Sequence, residues 1–277
     1  MKIFVIESLR TNDVTTGTNL YNDLISRKLN GNNCKLYTPQ CKSDLDANLT
    51  DILSTTNVND TIFIHFEMHG CNNGLEIRND FYCYTALCEQ LREINKKCIC
   101  GLYVTFAVCE GLFVMLEKDG FLGKPMPYCG IVASEKPIYN GEIEEFFSTL
   151  YSNIIDYNDL EVAFSQTKEQ TSCCASMRFI KPHELFCRAW HNYLGSGQRK
   201  DIEENLTNLL SKMYGHSPYE AQDKAKNIME SVIQNVYEEK KKIYYMLDSD
   251  SIDEKKQIQK FDIKDSYKDI QNYEITN

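Results

Sequence analysis

Thr61-Ile62-Phe63-Ile64-His65-Phe66-Glu67-Met68-His69-Gly70 and Gly101-Leu102-Tyr103-Val104-Thr105-Phe106-Ala107-Val108-Cys109-Glu110-Gly111 are the two stretches that decide how this chain is read. Each is an apolar run of strand length, rich in β-branched and aromatic residues, as expected of a buried strand. Each ends in a chemically able side chain, with glycine one or two residues on. In an open parallel sheet the carboxyl ends of neighbouring strands share one crevice, and sites are built there. A thiol beside an imidazole is the minimum equipment for cysteine nucleophilic catalysis.

Around these two runs, strand-like and helix-like segments alternate. Lys2–Glu7, Cys34–Tyr37 and Tyr128–Ala133 read as further strands. Residues 17–29 read as a helix with Leu20, Leu24 and Leu29 on one stripe. Asp44–Leu53, Thr85–Lys97 (Leu87, Leu91 and Ile94 inward) and Gly111–Lys118 read as helices too. This alternation predicts an α/β fold, a mainly parallel sheet flanked by helices on both faces. Asn140 is the expected N-cap of a helix carrying Ile143, Phe146, Phe147, Leu150, Tyr151 and Ile154, and Asp159–Gln170 comes next as another. Phe179-Ile180 and Leu185-Phe186-Cys187 are expected to return to the sheet.

Gly195-Ser196-Gly197 reads as a boundary. It separates an α/β domain, 1–195, from a C-terminal helical extension, 196–277. In the extension, Ser217-Pro218-Tyr219-Glu220 is a capping box with proline at the first helical position. Ala225, Ile228, Met229, Val232, Val236, Ile243 and Leu247 mark the expected stripe of a long helix, and 201–213 is expected to pair with it. From Asp248 onward the chain is charged and weakly periodic, and is expected to be mobile or loosely docked.

A hydrophobic content of 42% and a charged content of 25% fit a soluble globular protein. The formal net charge of −10 argues against electrostatic attraction to nucleic acid or to an anionic membrane. Met1-Lys2-Ile3-Phe4-Val5-Ile6 enters a strand with no signal-peptide pattern, and no apolar stretch reaches membrane-spanning length. A cytoplasmic location is therefore the expectation. Of the 12 cysteines none forms a Cys-x-x-Cys pair; Cys98-x-Cys100 and Cys173-Cys174 are poor chelators. The cysteines are therefore read as small buried hydrophobes in a reduced protein, with no metal and no cofactor expected.

Cys109 is expected where a helix begins, and a helix dipole lowers thiol pKa. His69 is placed to take the thiol proton and hand it to a leaving amine. The backbone N–H groups of Gly70 and Cys109 are the candidate oxyanion hole. These parts suit acyl transfer through a thioester. His65 and Glu67 share the face of His69 by strand alternation. His65 is expected to be buried and structural, with orientation of His69 as its other possible role.

The order strand-His-Gly then strand-Cys-x-Gly resembles the caspase-like cysteine peptidases, the group that also holds separase and the bacterial CHAT domains. His69-Gly70 with Gly74-Leu75 is similar to the CHAT histidine motif, and Ala107-Val108-Cys109-Glu110-Gly111 to its cysteine motif. The strand Gly130–Ser134, the Phe146/Phe147 helix and the Ala163 helix continue the match over about residues 1–190. The resemblance implies a caspase-like fold, a Cys109/His69 dyad, Gly70 as oxyanion donor, no metal and a protein substrate. It also implies a bacterial setting in antiviral defence or regulated death, with an activating protein partner for which the helices of 198–277 are the candidate dock.

The chain departs from the caspase pattern in its pocket residues. Ala107 stands where caspases have glutamine, and Glu135 rather than arginine comes after the strand Gly130–Ala133. Cleavage after aspartate is therefore not expected. An acidic S1 pocket selecting Lys or Arg is expected instead, with Glu135 and Asp13 as candidates and a neutral pocket for apolar residues as the alternative. Two other functions compete. One is a catalytically silent scaffold on the same fold. The other is a flavodoxin-like nucleotide binder using the Ser8–Thr18 loop, which lacks both the dinucleotide glycine fingerprint and the P-loop lysine.

Overall fold

The computed structural model describes residues 1–27, 33–78, 80–116, 123–171, 175–195, 198–248, 253–261 and 263–264. Along the chain run β1 (Lys2–Ser8), α1 (Thr16–Ser26), β2 (Cys34–Tyr37), α2 (Lys42–Thr55), β3 (Ile62–Met68), β4 (Gly70–Cys71), β5 (Gly74–Ile77) and β6 (Asp80–Cys83). Then come α3 (Tyr84–Lys97), β7 (Leu102–Ala107), β8 (Gly130–Ser134), α4 (Asn140–Tyr157), α5 (Leu160–Gln170) and β9 (Met177–Ile180). The helices α6 (Pro182–Gly195), α7 (Gln198–Tyr214), α8 (Pro218–Tyr245) and α9 (Glu254–Phe261) complete it. The chain divides into two compact units, residues 1–119 with 126–182 and residues 120–125 with 183–277. α6 thus falls almost wholly in the second unit, ahead of the Gly195-Ser196-Gly197 boundary.

The first unit is built on a six-stranded sheet of order β2-β1-β3-β7-β8-β9. The pairings are parallel except for β9, which runs antiparallel to β8. Every residue of β3 is buried, which is why it reads as a continuous apolar run rather than an alternating one. Successive side chains of a strand point to opposite faces. On β7, Thr105 meets Tyr151 of α4 while Phe106 meets the ring of Tyr84 on α3, so α3 and α4 cover opposite faces. On the α4 face, Phe146, Phe147, Leu150, Tyr151 and Ile154 close over Ile3, Val5, Phe63 and Val132, with Leu20 and Leu24 of α1 beside them. Each such buried side chain contributes about 1.5–3 kcal/mol of transfer free energy.

Several local features differ from the sequence reading. A second sheet, β4-β5-β6, is antiparallel and comes directly after His69; its strands of two to four residues are too short to show periodicity. The Cys-bearing strand runs only from Leu102 to Ala107; ahead of it Ile99 and Cys100 turn through φ +53° and +58° and Gly101 backs onto the Asp60 carbonyl. Past Cys109 the chain forms a six-residue 3-10 helix, Gly111–Leu116; Lys118 lies outside the described residues. Leu185-Phe186-Cys187 belongs to α6, so only Met177–Ile180 returns to the sheet. α1 ends at Ser26, and Leu29 lies outside the described residues.

The second unit is helical. Ser217 caps α8 by accepting from the Glu220 amide (3.3 Å) while the Glu220 carboxylate accepts from the Ser217 amide (3.1 Å). α7 pairs with α8. The core is aromatic: Phe186 and Trp190 of α6 pack with Tyr237, Tyr244 and Tyr245 of α8, and Phe261 of α9 joins Tyr245. These rings fix the phase of α8. Its buried face carries Ala221, Ala225, Met229, Ile233, Tyr237, Tyr244 and Tyr245. Ile228 and Val232, expected on that stripe, are 43% and 47% exposed. Ala225, Met229 and Leu247 are buried as expected, and the tyrosines turn the face away from Ile228 and Val232. Of the charged tail, α9 is described, and residues 249–252 and 265–277 lie outside the description. Among the described residues no helix is long and apolar enough to cross a membrane.

This phase has a direct test in urea unfolding. Met229→Ala should cost about 2–5 kcal/mol, whereas Ile228→Ala should change stability by no more than about 0.5 kcal/mol. The reverse order would contradict the assigned face.

Candidate active site

The ladder between β3 and β7 runs in register from Ile62↔Leu102 to Glu67↔Ala107. The ladder ends there, and His69 and Cys109 each follow two residues after its last pair, so the His-bearing and Cys-bearing strands end next to one another at the carboxyl edge of the sheet. Gly70 reports the same proximity. A Cβ there would run into Val108 Cγ1 and would lie 3.1 Å from the Gly74 carbonyl oxygen and 3.7 Å from that of Cys109. The position is glycine because the end of the His-bearing strand touches the end of the Cys-bearing one.

His69 is held at two points. Its carbonyl accepts from the Glu76 amide at 2.9 Å. Its Nε2 meets Asp13 Oδ2 at 2.7 Å. Asp13, in the loop after β1, also accepts from the Arg10 amide at 2.8 Å, and the Arg10 guanidinium pairs with Glu76 at 2.7 Å. The chain of contacts closes on itself: Asp13 to His69 to Glu76 to Arg10 and back. The hydrogen bond to His69 holds the Asp13 carboxyl below its ordinary range, desolvation opposing and the Arg10 amide assisting. An ionised carboxylate only accepts. Nε2 of His69 therefore carries the proton, and Nδ1 is left as the basic nitrogen.

Cys109 is half-buried in a tight turn closed by Gly111 N–H to Val108 C=O at 3.1 Å. Glu110, the third residue of that turn, takes φ +57°, a left-handed conformation that costs a non-glycine residue about 1–3 kcal/mol. Neither the Cys109 thiol nor its backbone N–H has a hydrogen-bond partner among the described residues. The N–H remains open for an oxyanion, whereas Gly70 is drawn into the small sheet opposite Leu75. The α-helix expected to depress the Cys109 thiol by its dipole is replaced by the short 3-10 segment, so that activation has no α-helix to supply it.

The two candidate S1 carboxylates are treated differently. Asp13 is committed to His69. Glu135 is exposed just past β8. His65 is fully buried, with Nδ1 2.8 Å from Thr105 Oγ1 and Nε2 3.2 Å from Glu67 Oε2. It therefore braces the sheet beneath the site. Burial raises the Glu67 carboxyl above its ordinary range, the hydrogen bond to His65 opposing. Sequence reasoning missed the Asp13–His69 pairing, because a loop aspartate 56 positions away gives no periodic signal. It also missed Tyr84, whose buried hydroxyl has no hydrogen-bond partner among the described residues and whose acidity is depressed by burial first, then by Cys71 and Glu110. Among the described residues no three His, Cys, Asp or Glu side chains gather in a metal-binding group.

No protein-family model matches the chain, and no curated protein matches it in sequence.

Asp13 makes a pH-dependent prediction. Its native pKa lies below the unfolded value of about 3.9, so its contribution to stability is fully present above that value. It is lost as pH falls through the native pKa. The stability difference between wild type and Asp13→Asn, measured by urea unfolding from pH 7 to pH 2, should be constant above about pH 5 and shrink below about pH 4. A difference independent of pH would contradict the pairing.

Proposed function

We propose that the protein is a cysteine endopeptidase using Cys109 and His69, with Asp13 orienting the imidazole. The observation that carries this reading is the conjunction at one sheet edge. The register of β3 and β7 ends the two strands that lead into these residues at one sheet edge, and a carboxylate on Nε2 leaves the other nitrogen of His69 free to act as a base. His69 Nδ1 takes the thiol proton. The Cys109 sulfur attacks the scissile carbonyl, forming the C–S bond, and the oxyanion is met by the Cys109 N–H with Gly70 as second candidate. His69 returns the proton to the leaving amine as the C–N bond breaks. Water, deprotonated by His69, then opens the thioester and releases the acid. The parallel sheet with helices on both faces agrees with the caspase-like resemblance, and the caspase-like assignment belongs to this proposal.

An acyloxymethyl-ketone peptide probe followed by intact mass tests the reading. Wild type should gain one adduct, Cys109→Ala none, and His69→Ala should slow its formation by about 10²–10⁴-fold. An adduct that persists in Cys109→Ala contradicts the assignment. A folded wild-type protein that forms none with any probe favours a scaffold that keeps the residues without the chemistry. In turnover, Asp13→Asn should lower kcat with little change in KM, because Asp13 fixes the base without touching substrate.

A further inference from the structure

The start of α1 is not capped by its own N-cap residue. Thr15 makes no side-chain hydrogen bond to the helix, and no acidic residue stands in the first turn. A helix start leaves backbone N–H groups in need of acceptors and favours negative charge beside them. The acceptor comes from the sheet instead. The Glu7 carboxyl of β1 accepts from the Thr18 amide at 2.9 Å and from the Thr18 hydroxyl at 2.6 Å. Glu7 is 5% exposed, and a buried carboxyl is costly unless donors of this kind meet it. Glu67, its neighbour in the β1–β3 register, faces the same turn and takes a hydrogen bond from the Thr16 side chain. Gly17 lets the turn come this close, since a Cβ there would lie 3.0 Å from Glu67 Cβ and 3.1 Å from Glu7 Oε1.

The turn so clamped is one end of the loop that carries Asp13. Residues 9–15 join β1 to α1. At the β1 end the Ser8 hydroxyl donates to the Pro39 carbonyl at 2.9 Å, and at the α1 end Glu7 holds Thr18. Between these anchors Arg10, Thr11, Asn12, Val14 and Thr15 are exposed. The loop meets the site through the 2.7 Å bond between Asp13 Oδ2 and His69 Nε2 and through the exposed Arg10–Glu76 pair. A hydrogen bond weakens steeply with misalignment, and exposed ion pairs hold little by themselves. Where the two ends of the loop are fixed therefore decides how Asp13 is presented.

We infer that Glu7 is a positioning residue: by capping α1 through Thr18 it fixes the loop that sets Asp13 against His69. The dependence runs from Glu7 to Thr18, back along the loop to Asp13, and from Asp13 to Nε2 of the imidazole. Its consequence for catalysis rests on the peptidase reading; its hold on the Asp13–His69 pair does not.

The test uses the full chain and separates the clamp from the catalysis. The ionised fraction of Asp13 is read at about pH 4 from its carboxyl carbon NMR shift, the signal being assigned by its loss in Asp13→Asn. An aspartate of ordinary pKa, about 3.9, is roughly half ionised there, whereas the bond to His69 holds the Asp13 carboxyl below that range. Wild type should be mostly ionised and His69→Ala about half. Glu7→Leu, which has no acceptor, and Thr18→Val, which loses the hydroxyl of a half-buried residue, should both fall toward the His69→Ala value, and Thr18→Ser should match wild type. Loss of a nearby carboxylate acts in the opposite direction, so such a fall measures release of the loop. In the His69→Ala background neither substitution should have a further effect. In turnover, Thr18→Val should lower kcat about ten- to hundredfold with little change in KM, and should add nothing to Asp13→Asn. An unchanged ionised fraction in folded Thr18→Val overturns the inference whether or not Glu7→Leu folds, and so does an equal fall in the His69→Ala background. Ionisation that follows Glu7 and Thr18, in a protein that turns over no peptide and takes no probe adduct, upholds the clamp and overturns the peptidase reading.

Discussion

The parallel pairing of β3 with β7 is the constraint on which the site depends. A parallel ladder fixes register residue by residue, and a slip of one position would send every side chain of β3 to the other face. Here a slip is doubly forbidden. All seven β3 residues are buried, and His65 is tied across the ladder to Thr105, which is tied in turn to Tyr151 of α4. The buried polar chain locks the register that ends the His-bearing and Cys-bearing strands at one sheet edge. Without it the same residues would still be buried, but the two reactive groups need not meet.

The contacts around His69 have a different character. Arg10–Glu76 and Asp13–His69 are substantially exposed, and exposed ion pairs contribute at most about 1 kcal/mol to stability. Their effect is geometric. They tie the loop after β1 and the small antiparallel sheet to one imidazole, choosing which of its nitrogens carries the proton. The strained turn at Glu110 is of the same kind: it is conformationally costly, and it leaves the Cys109 N–H without a partner among the described residues.

Much of this was legible in the sequence. The two apolar runs announced strands because strands buried on both faces read as unbroken hydrophobic stretches, and α4 announced its inward stripe by helical spacing alone. The illegible part was carried by non-periodic features. The pairing of Asp13 with His69 depends on a loop and on register between distant segments. The strands of 70–83 are too short for alternation to show. On α8 the stripe was right at Ala225, Met229 and Leu247 and wrong at Ile228 and Val232, which are more apolar by type than the tyrosines that do face inward; aromatic packing decided the side. The helix expected after Cys109 shortened to a 3-10 segment, preceded by Glu110 in a left-handed conformation that composition does not reveal.

The most direct measurement of the central claim is the rate of Cys109 alkylation by chloroacetamide as a function of pH, followed by peptide mass in wild type and in His69→Ala. If the imidazole stands beside the thiol as a base, wild-type Cys109 should react faster than in His69→Ala at neutral pH, and the two rates should converge at alkaline pH, where any thiol is ionised. Identical rates and identical pH profiles in the two proteins would contradict the account, because they would mean that the register carrying His69 and Cys109 to one sheet edge does not bring them into chemical contact.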